Sequence, residues 1–323
     1  MTGTAPVRPA RPAWLPTSPC TPACTADPVP AVDHAVRRSR WARLAGSLGG
    51  AALTSLRAPL CSSRGRRRLL VCAAARVLTA TGVRVEVHAA RTAWPRTGPG
   101  HGPGLLVVSN SVSWVDDLAV LTVVPGVPVT EREVAGRPLV GRLARGAGGV
   151  LVDRARIRTL PGTVAEAAGL LRAGTTVTVR PEGTRSCGVE LGRFRPALFQ
   201  AAVDAGAAVC PVAVRYRVDG GDPTAVAGSL AGEPLWRSLA RVVATRGLVV
   251  EVHLLPALDP AGADRRSLAA LAEYAVATVT EARPPQVAAH PTAARVPVRP
   301  LPVRPGSPGR PHPAPPAAVP RAA

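Results

Sequence analysis

The sequence predicts an α/β domain: a mixed, largely parallel sheet flanked by helices. Three observations carry that prediction. Short apolar or β-branched runs alternate with segments of helical period between residues 68 and 283. Some of these runs, such as 105–108, are apolar enough for strands buried within a sheet. Polar side chains crowd the ends of three of them, where α/β sheets keep their ligand sites.

Composition sets the limits. Hydrophobic residues make up 46% of the 323, but aromatics only 3%, so the core must be built from Ala, Val and Leu. The net charge is +20, and Arg supplies all of it because Lys is absent. Arg with abundant Ala, Gly and Pro reflects in part a biased genome composition, so the location of the charge says more than its total. Residues 1–100 hold 15 Arg and 3 acids, 101–283 hold 20 and 17, and 284–323 hold 5 and none. The centre is nearly balanced, and the excess lies on the ends, where basic arms meet an anionic bilayer or a nucleic acid. The six cysteines include no CxxC pair and stand apart from the histidines, so neither a zinc site nor a disulfide framework is expected, and a reducing compartment is. There is no apolar signal core at the start and no window of about 18 uninterrupted apolar residues.

Residues 1–35 are Pro-rich and predict a disordered arm. Residues 36–67 carry basic clusters (Arg37, Arg38, Arg40, Arg43, then Arg64, Arg66, Arg67) around a weakly apolar stretch, which suits a membrane surface. The domain follows at 68–283. Residues 69–78 have a helical pattern that fits equally a surface-lying helix or one packed on the domain. Residues 83–88 alternate with period two, a half-exposed strand. Strands are expected at 105–108, 127–130, 150–152, 175–179, 208–214 and 248–255. Pro211 places the strand at 208–214 at an edge or a bulge. Helices are expected at 138–145, 159–173, 196–205, 235–245 and 265–281, several opened by Pro or closed by Gly. Residues 284–323 contain 13 Pro and form a disordered tail.

The strand exits read Asn110 to Asp117, Asp153-Arg154, and Glu182-Gly183-Thr184-Arg185. In the first, Ser113-Trp114-Val115-Asp116 fits a capping box, so helix capping alone could account for it. Two arginines at such exits could fork a phosphate, and Gly183 would let backbone approach a ligand. Solvation, or ion pairs with Asp153 or Glu182, would equally satisfy either arginine alone.

Taken in order, these segments resemble the phospholipid/glycerol acyltransferase family, which includes the lysophosphatidic acid acyltransferases. Asn110 to Asp116 is similar to its Asn-His-x-Ser-Trp-x-Asp block. Gly148 to Arg154 is similar to Gly-x-x-Phe-x-x-Arg, Arg180 to Ser186 to Phe-Pro-Glu-Gly-Thr-Arg-Ser, and Val209 to Val214 to an apolar run around Pro. The segment 133–141 also fits, and the resemblance spans roughly residues 68–258. It implies a glycerol-phosphate acyltransferase-like fold. It also implies transfer of an acyl group from acyl-CoA or acyl-carrier protein to a lysophospholipid such as lysophosphatidic acid. In the family a His acts as general base and an Asp beyond four intervening residues orients it, which puts Ser111 and Asp116 at the catalytic positions. Arg154, Glu182, Gly183, Thr184 and Arg185 would hold the acceptor's phosphate. No metal or bound cofactor is implied. The expected partners are lysophospholipid, acyl-CoA and an anionic membrane surface, with a peripheral location at the cytoplasmic, inner face of the cell membrane.

This chain departs from the pattern at the base itself. Ser111 stands where the family has His, and a hydroxyl has no basic nitrogen near neutral pH. Nor do Ser111 and Asp116 form a nucleophilic dyad, which needs an adjacent base. No His lies within eight residues; His101 precedes the strand and His253 falls in a later one. Position 180, usually apolar, is Arg, and position 131, where many relatives have Lys after Ala, is Glu. Three functions are therefore weighed: an acyltransferase lacking its usual base; a catalytically silent member, or pseudoenzyme, that binds lipid or acyl-CoA; and a nucleic-acid-binding protein. The last ranks lowest, because the charge lies in the arms without aromatic interleaving, so no specific nucleic acid is expected.

Overall fold

The computed structural model describes residues 18, 20–57, 61–89, 94–97, 100–132, 149–230 and 232–281. The expected helix at 138–145, Gly148 and the tail from 284 lie outside them. In chain order the elements are α1 (His34–Arg57), α2 (Ser63–Thr81), β1 (Arg84–Ala89), β2 (Leu106–Ser109), α3 (Trp114–Val123), β3 (Val127–Glu131) and β4 (Val150–Val152). They continue as α4 (Leu160–Arg172), β5 (Val177–Val179), α5 (Phe199–Ala205), β6 (Val209–Val218), α6 (Leu235–Ala244), β7 (Leu248–Leu254) and α7 (Arg265–Thr280).

The strands form one sheet of order β1-β7-β6-β2-β5-β3-β4, in which only the β6–β7 pair is antiparallel. Strands β2 to β6 therefore all run one way, and their C-terminal ends share one sheet edge. The alternation along β2 divides the core. Leu106 and Val108 face α4, α5 and α7, while Val107 faces α2, α3 and α6. The edge strand β1 is more exposed than the half-exposed strand its period-two pattern predicts: Val85 is half-buried, but Val87 on the same face is exposed.

Three expectations meet the structure here. Pro211 is not at an edge, because β6 lies between β7 and β2, but it does stand at an irregular step of the bulge kind: between Val212↔Leu254 and the Val209↔Leu258 bridge, two residues of β6 lie opposite three. Its carbonyl accepts from Leu255 N on the β7 side, just past the β6–β7 ladder, which begins at Val212↔Leu254. A residue's N and C=O point to the same neighbour, so the missing N–H falls where β7 has already ended and no ladder bond is lost.

Residues 20–33, expected as part of a disordered arm, pack on the domain instead. Val32 N donates to Ala244 O, Arg246 N donates to Pro30 O, and Asp27 Oδ2 accepts from Thr224 Oγ1 and Ala225 N. These backbone and carboxylate contacts hold a segment too poor in apolar residues to be legible as ordered.

The stretch expected at a membrane surface begins with a long helix, α1, whose Leu44 packs with Val77 and Ala80 of α2 and Val243 of α6. Arg40, one of the clustered arginines, is buried and donates to Val243 O (3.0 Å) and Thr245 O (2.7 Å). It ties α1 to the end of α6, where carbonyls favour a cation. The 69–78 pattern belongs to a helix packed on the domain, since α2 buries Ala74, Val77, Leu78 and Ala80. Among the described residues no helix is long and apolar enough to cross a membrane.

Candidate functional site

The turn between β2 and α3 is held from three sides. Asn110 makes a two-point amide contact with β6: Nδ2 donates to Val214 O and Oδ1 accepts from Val214 N, each at 2.8 Å. Ser113 caps α3, its Oγ accepting from Val115 N, and Asp116 completes the capping box by accepting from Ser113 N. The third hold comes from the loop after β5. Ser111 N donates to Glu182 Oε1 (2.5 Å), and Ser186 N donates to Ser111 O (3.0 Å).

Asp116 does more than cap. Its Oδ2 accepts from both Val112 N and Ser113 N at 2.7 Å, and its Oδ1 accepts from the Tyr216 hydroxyl. The carboxyl is wholly buried, and burial pushes it up to about 6 against the pull of those donors. Tyr216, buried on β6, is pushed well above its ordinary value by burial and by the carboxylate beside it. No motif in the sequence marks Tyr216. The signal that could have found it is parity: it shares a β6 face with Val212 and Val214, and a buried Tyr needs a partner for its hydroxyl.

Glu182 is likewise engaged at both oxygens. Its second oxygen accepts from Gly192 N (2.8 Å), and a side chain at Gly192 would sit 2.7 Å from that oxygen. Burial pushes this carboxyl up to about 8. Glu182 therefore grips two backbone N–H groups, one with each oxygen, and braces the turn. Gly183 follows at φ +77°, the left-handed backbone that lets the chain turn directly out of β5. Thr184 is half-buried on the same loop.

The arginines gather at the same sheet edge. Arg154, after β4, pairs with Glu131 at 3.2 Å, while the neighbouring Asp153 instead closes its own turn by accepting from Ala155 N and Arg156 N. Arg180, after β5, pairs with Asp117 at 2.8 Å. Burial, then repulsion from Arg180, lowers Arg185 from its ordinary value. Burial also lowers Arg154, which feels Arg180, Arg185 and Arg195 as like charges. For Arg180 burial works against the charge, but Asp117, Asp116 and Glu131 outweigh it and the value rises. These three half-buried guanidinium groups, two of them paired with Glu131 and Asp117, offer charge-assisted donors to an anion at this edge.

Beside this edge lies a cavity of about 390 Å³. Ser109, Asp116, Asp117, Arg180 and Arg185 line it at the sheet, and Leu44, Leu48, Leu70, Val77, Leu118 and Leu239 line it from α1, α2, α3 and α6. Its walls are mostly hydrocarbon, and its charged lining residues are Asp116, Asp117, Arg180, Arg185 and Glu233, a combination that fits an amphiphile with a charged head.

Neither histidine weighed as a substitute base stands at this turn. His101 is exposed on the loop before β2. His253 stacks on His88 at 4.4 Å and lies on β7, two strands from β2.

Comparison with known proteins agrees with this arrangement. The profile of the family described as Acyltransferase matches residues 84–215. A 1-acyl-sn-glycerol-3-phosphate acyltransferase from Neisseria gonorrhoeae is 32% identical over 203 residues, covering 63% of this chain and 76% of its own length. A lyso-ornithine lipid O-acyltransferase from Pseudomonas aeruginosa is 33% identical over 238 residues, 73% of this chain and 84% of its own. The crystal structure of PlsC, the 1-acyl-sn-glycerophosphate (LPA) acyltransferase of Thermotoga maritima, superposes with a TM-score of 0.56 at 22% identity, covering 76% of this chain and 94% of that one. It shares the fold.

Proposed function

The chain belongs to the acyltransferase family, and we propose that it acylates lysophosphatidic acid at the edge formed by the β2, β4 and β5 exits. The carrying observation is that Arg180 and Arg185 line an apolar cavity, with Arg154 close enough to both to feel their charge. The arginines would take the acceptor phosphate, and the hydrocarbon walls an acyl chain. The donor is an acyl thioester, of acyl-CoA or acyl-carrier protein. In the transfer the acceptor oxygen forms an ester bond to the acyl carbon as the carbon–sulfur bond breaks, and the hydroxyl proton ends on the departing thiol.

Within this reading Glu182 and Asp116 position the turn and leave the proton without a dedicated acceptor. Each of their oxygens already accepts a hydrogen bond. Ser111 supplies no basic nitrogen, so transfer is slow for the family. The exposed Arg37, Arg38 and Arg43 on α1, with Leu48 and Leu53, suit an anionic bilayer face that presents the lipid to the cavity.

The test is an acceptor panel. Purified full-length protein is incubated with acyl-CoA or acyl-carrier protein and with lysophosphatidic acid, lyso-ornithine lipid or no acceptor. Slow, arginine-dependent acylation of lysophosphatidic acid is expected. Exclusive acylation of lyso-ornithine lipid would replace the acceptor, and the absence of both lipid binding and transfer would sink the proposal.

A further inference from the structure

Away from the cavity, the tertiary structure brings together three cysteines that the spacing leaves unrelated. Cys20 precedes a 3-10 turn, Pro22–Thr25, in the docked N-terminal arm, and Cys24 lies within it. Cys187 directly follows the loop that holds Arg185 and Ser186 and is 6% exposed. The three sulfurs all lie within 4.8 Å of one another. Cys20 and Cys187 are 167 residues apart in sequence, yet Cys187 N donates to Cys20 Sγ at 3.2 Å.

We propose that Cys20, Cys24 and Cys187 form a binding site for a single thiophilic d10 cation such as Zn2+, which clamps the arm to the loop following β5. Zinc–sulfur bonds of about 2.3 Å place ligand sulfurs roughly 3.8 Å apart, so small side-chain rotations close the set. Soft thiolates select such ions over Mg2+ or Ca2+. Among the described residues no fourth His, Cys, Asp or Glu joins the group, so one coordination position stays open.

Two features prepare the site. The arm is already anchored by Asp27 to Thr224 and Ala225, and Thr25 packs against Gly228, so binding need not order it from a random chain. Polar groups already serve the sulfurs: the Cys187 N–H donates to Cys20 Sγ, and the Thr21 hydroxyl lies 4.0 Å from Cys24 Sγ. Such N–H···S contacts stabilise bound thiolates.

The experiment titrates Co2+ into reduced, chelator-stripped, full-length protein, then displaces it with Zn2+. One Co2+ per chain with thiolate-to-cobalt charge-transfer absorption is expected. Cys20→Ser, Cys24→Ser and Cys187→Ser should each weaken binding at least about tenfold, and Cys72→Ser should leave it unchanged. Because Cys20 and Cys24 lie outside the sheet, a thermal shift supplies the second readout: Zn2+ should raise the Tm of the parent but not of Cys20→Ser. Absence of charge-transfer absorption, or its full retention in Cys187→Ser, overturns the proposal.

Discussion

The backbone N–H of Ser111 donates to Glu182 Oε1 at 2.5 Å, across 71 residues of sequence. Through it the loop after β5 holds the turn after β2 in place. An acidic residue beside two arginines invites assignment to ligand binding, but here it grips backbone.

The pH dependence of stability tests this brace. Folding raises the Glu182 carboxyl from 4.5 to about 8, so the folded chain holds its proton more tightly than the unfolded one. Its contribution to stability is full below pH 4.5 and is lost as pH rises towards 8, with each tenfold difference in proton affinity worth about 1.4 kcal/mol. Glu182→Gln cannot ionise. Denaturant unfolding of both proteins across that window should show the parent losing stability relative to the variant; parallel curves would refute the assignment.

Restoring the missing imidazole should restore rate. Ser111→His is expected to raise acyl transfer to lysophosphatidic acid by about two to four orders of magnitude, the usual contribution of a positioned base. If the parent already turns over at ordinary enzyme rates and Ser111→His adds nothing, another group takes the proton.

Tyr216 holds Asp116 in its charged form. Tyr216→Phe removes a donor that favours the carboxylate, so the Asp116 carboxyl should rise above about 6. Carboxyl-carbon NMR titration of parent and variant would read this directly. An unchanged value would mean that the hydroxyl contributes nothing to the site.

The arginines should separate head-group from chain recognition. Arg185→Ala or Arg154→Ala is expected to weaken lysophosphatidic acid binding about tenfold to a hundredfold, the loss of a charge-assisted contact. Binding of a long-chain fatty alcohol, which lacks the anion, should hardly change. Equal losses for both ligands would point to a collapsed cavity.

Much of the fold is legible in the sequence because it rests on local pattern. The runs at 105–108 and 248–255 and the helix at 265–281 appear almost where expected. The capping box at Ser113 and Asp116 is likewise a property of consecutive residues, and the structure forms it. The helical extent of α1 is not legible, because its apolar positions are thin. Its anchor, Arg40, looks in sequence like one more surface charge until Val243 and Thr245 are brought beside it.

The sequence by itself determined the alternation of strands and helices, the order of the polar exits and the absence of imidazole at position 111. These depend on residue identity and short-range spacing alone. The tertiary structure decided which groups meet. It placed the exits on one edge by running β2 to β6 parallel, turned Glu182 to backbone, set Tyr216 on Asp116 and gathered Cys20, Cys24 and Cys187. Each is a contact between segments distant in the chain, and side-chain periodicity specifies which face a residue takes but not which residue it will face.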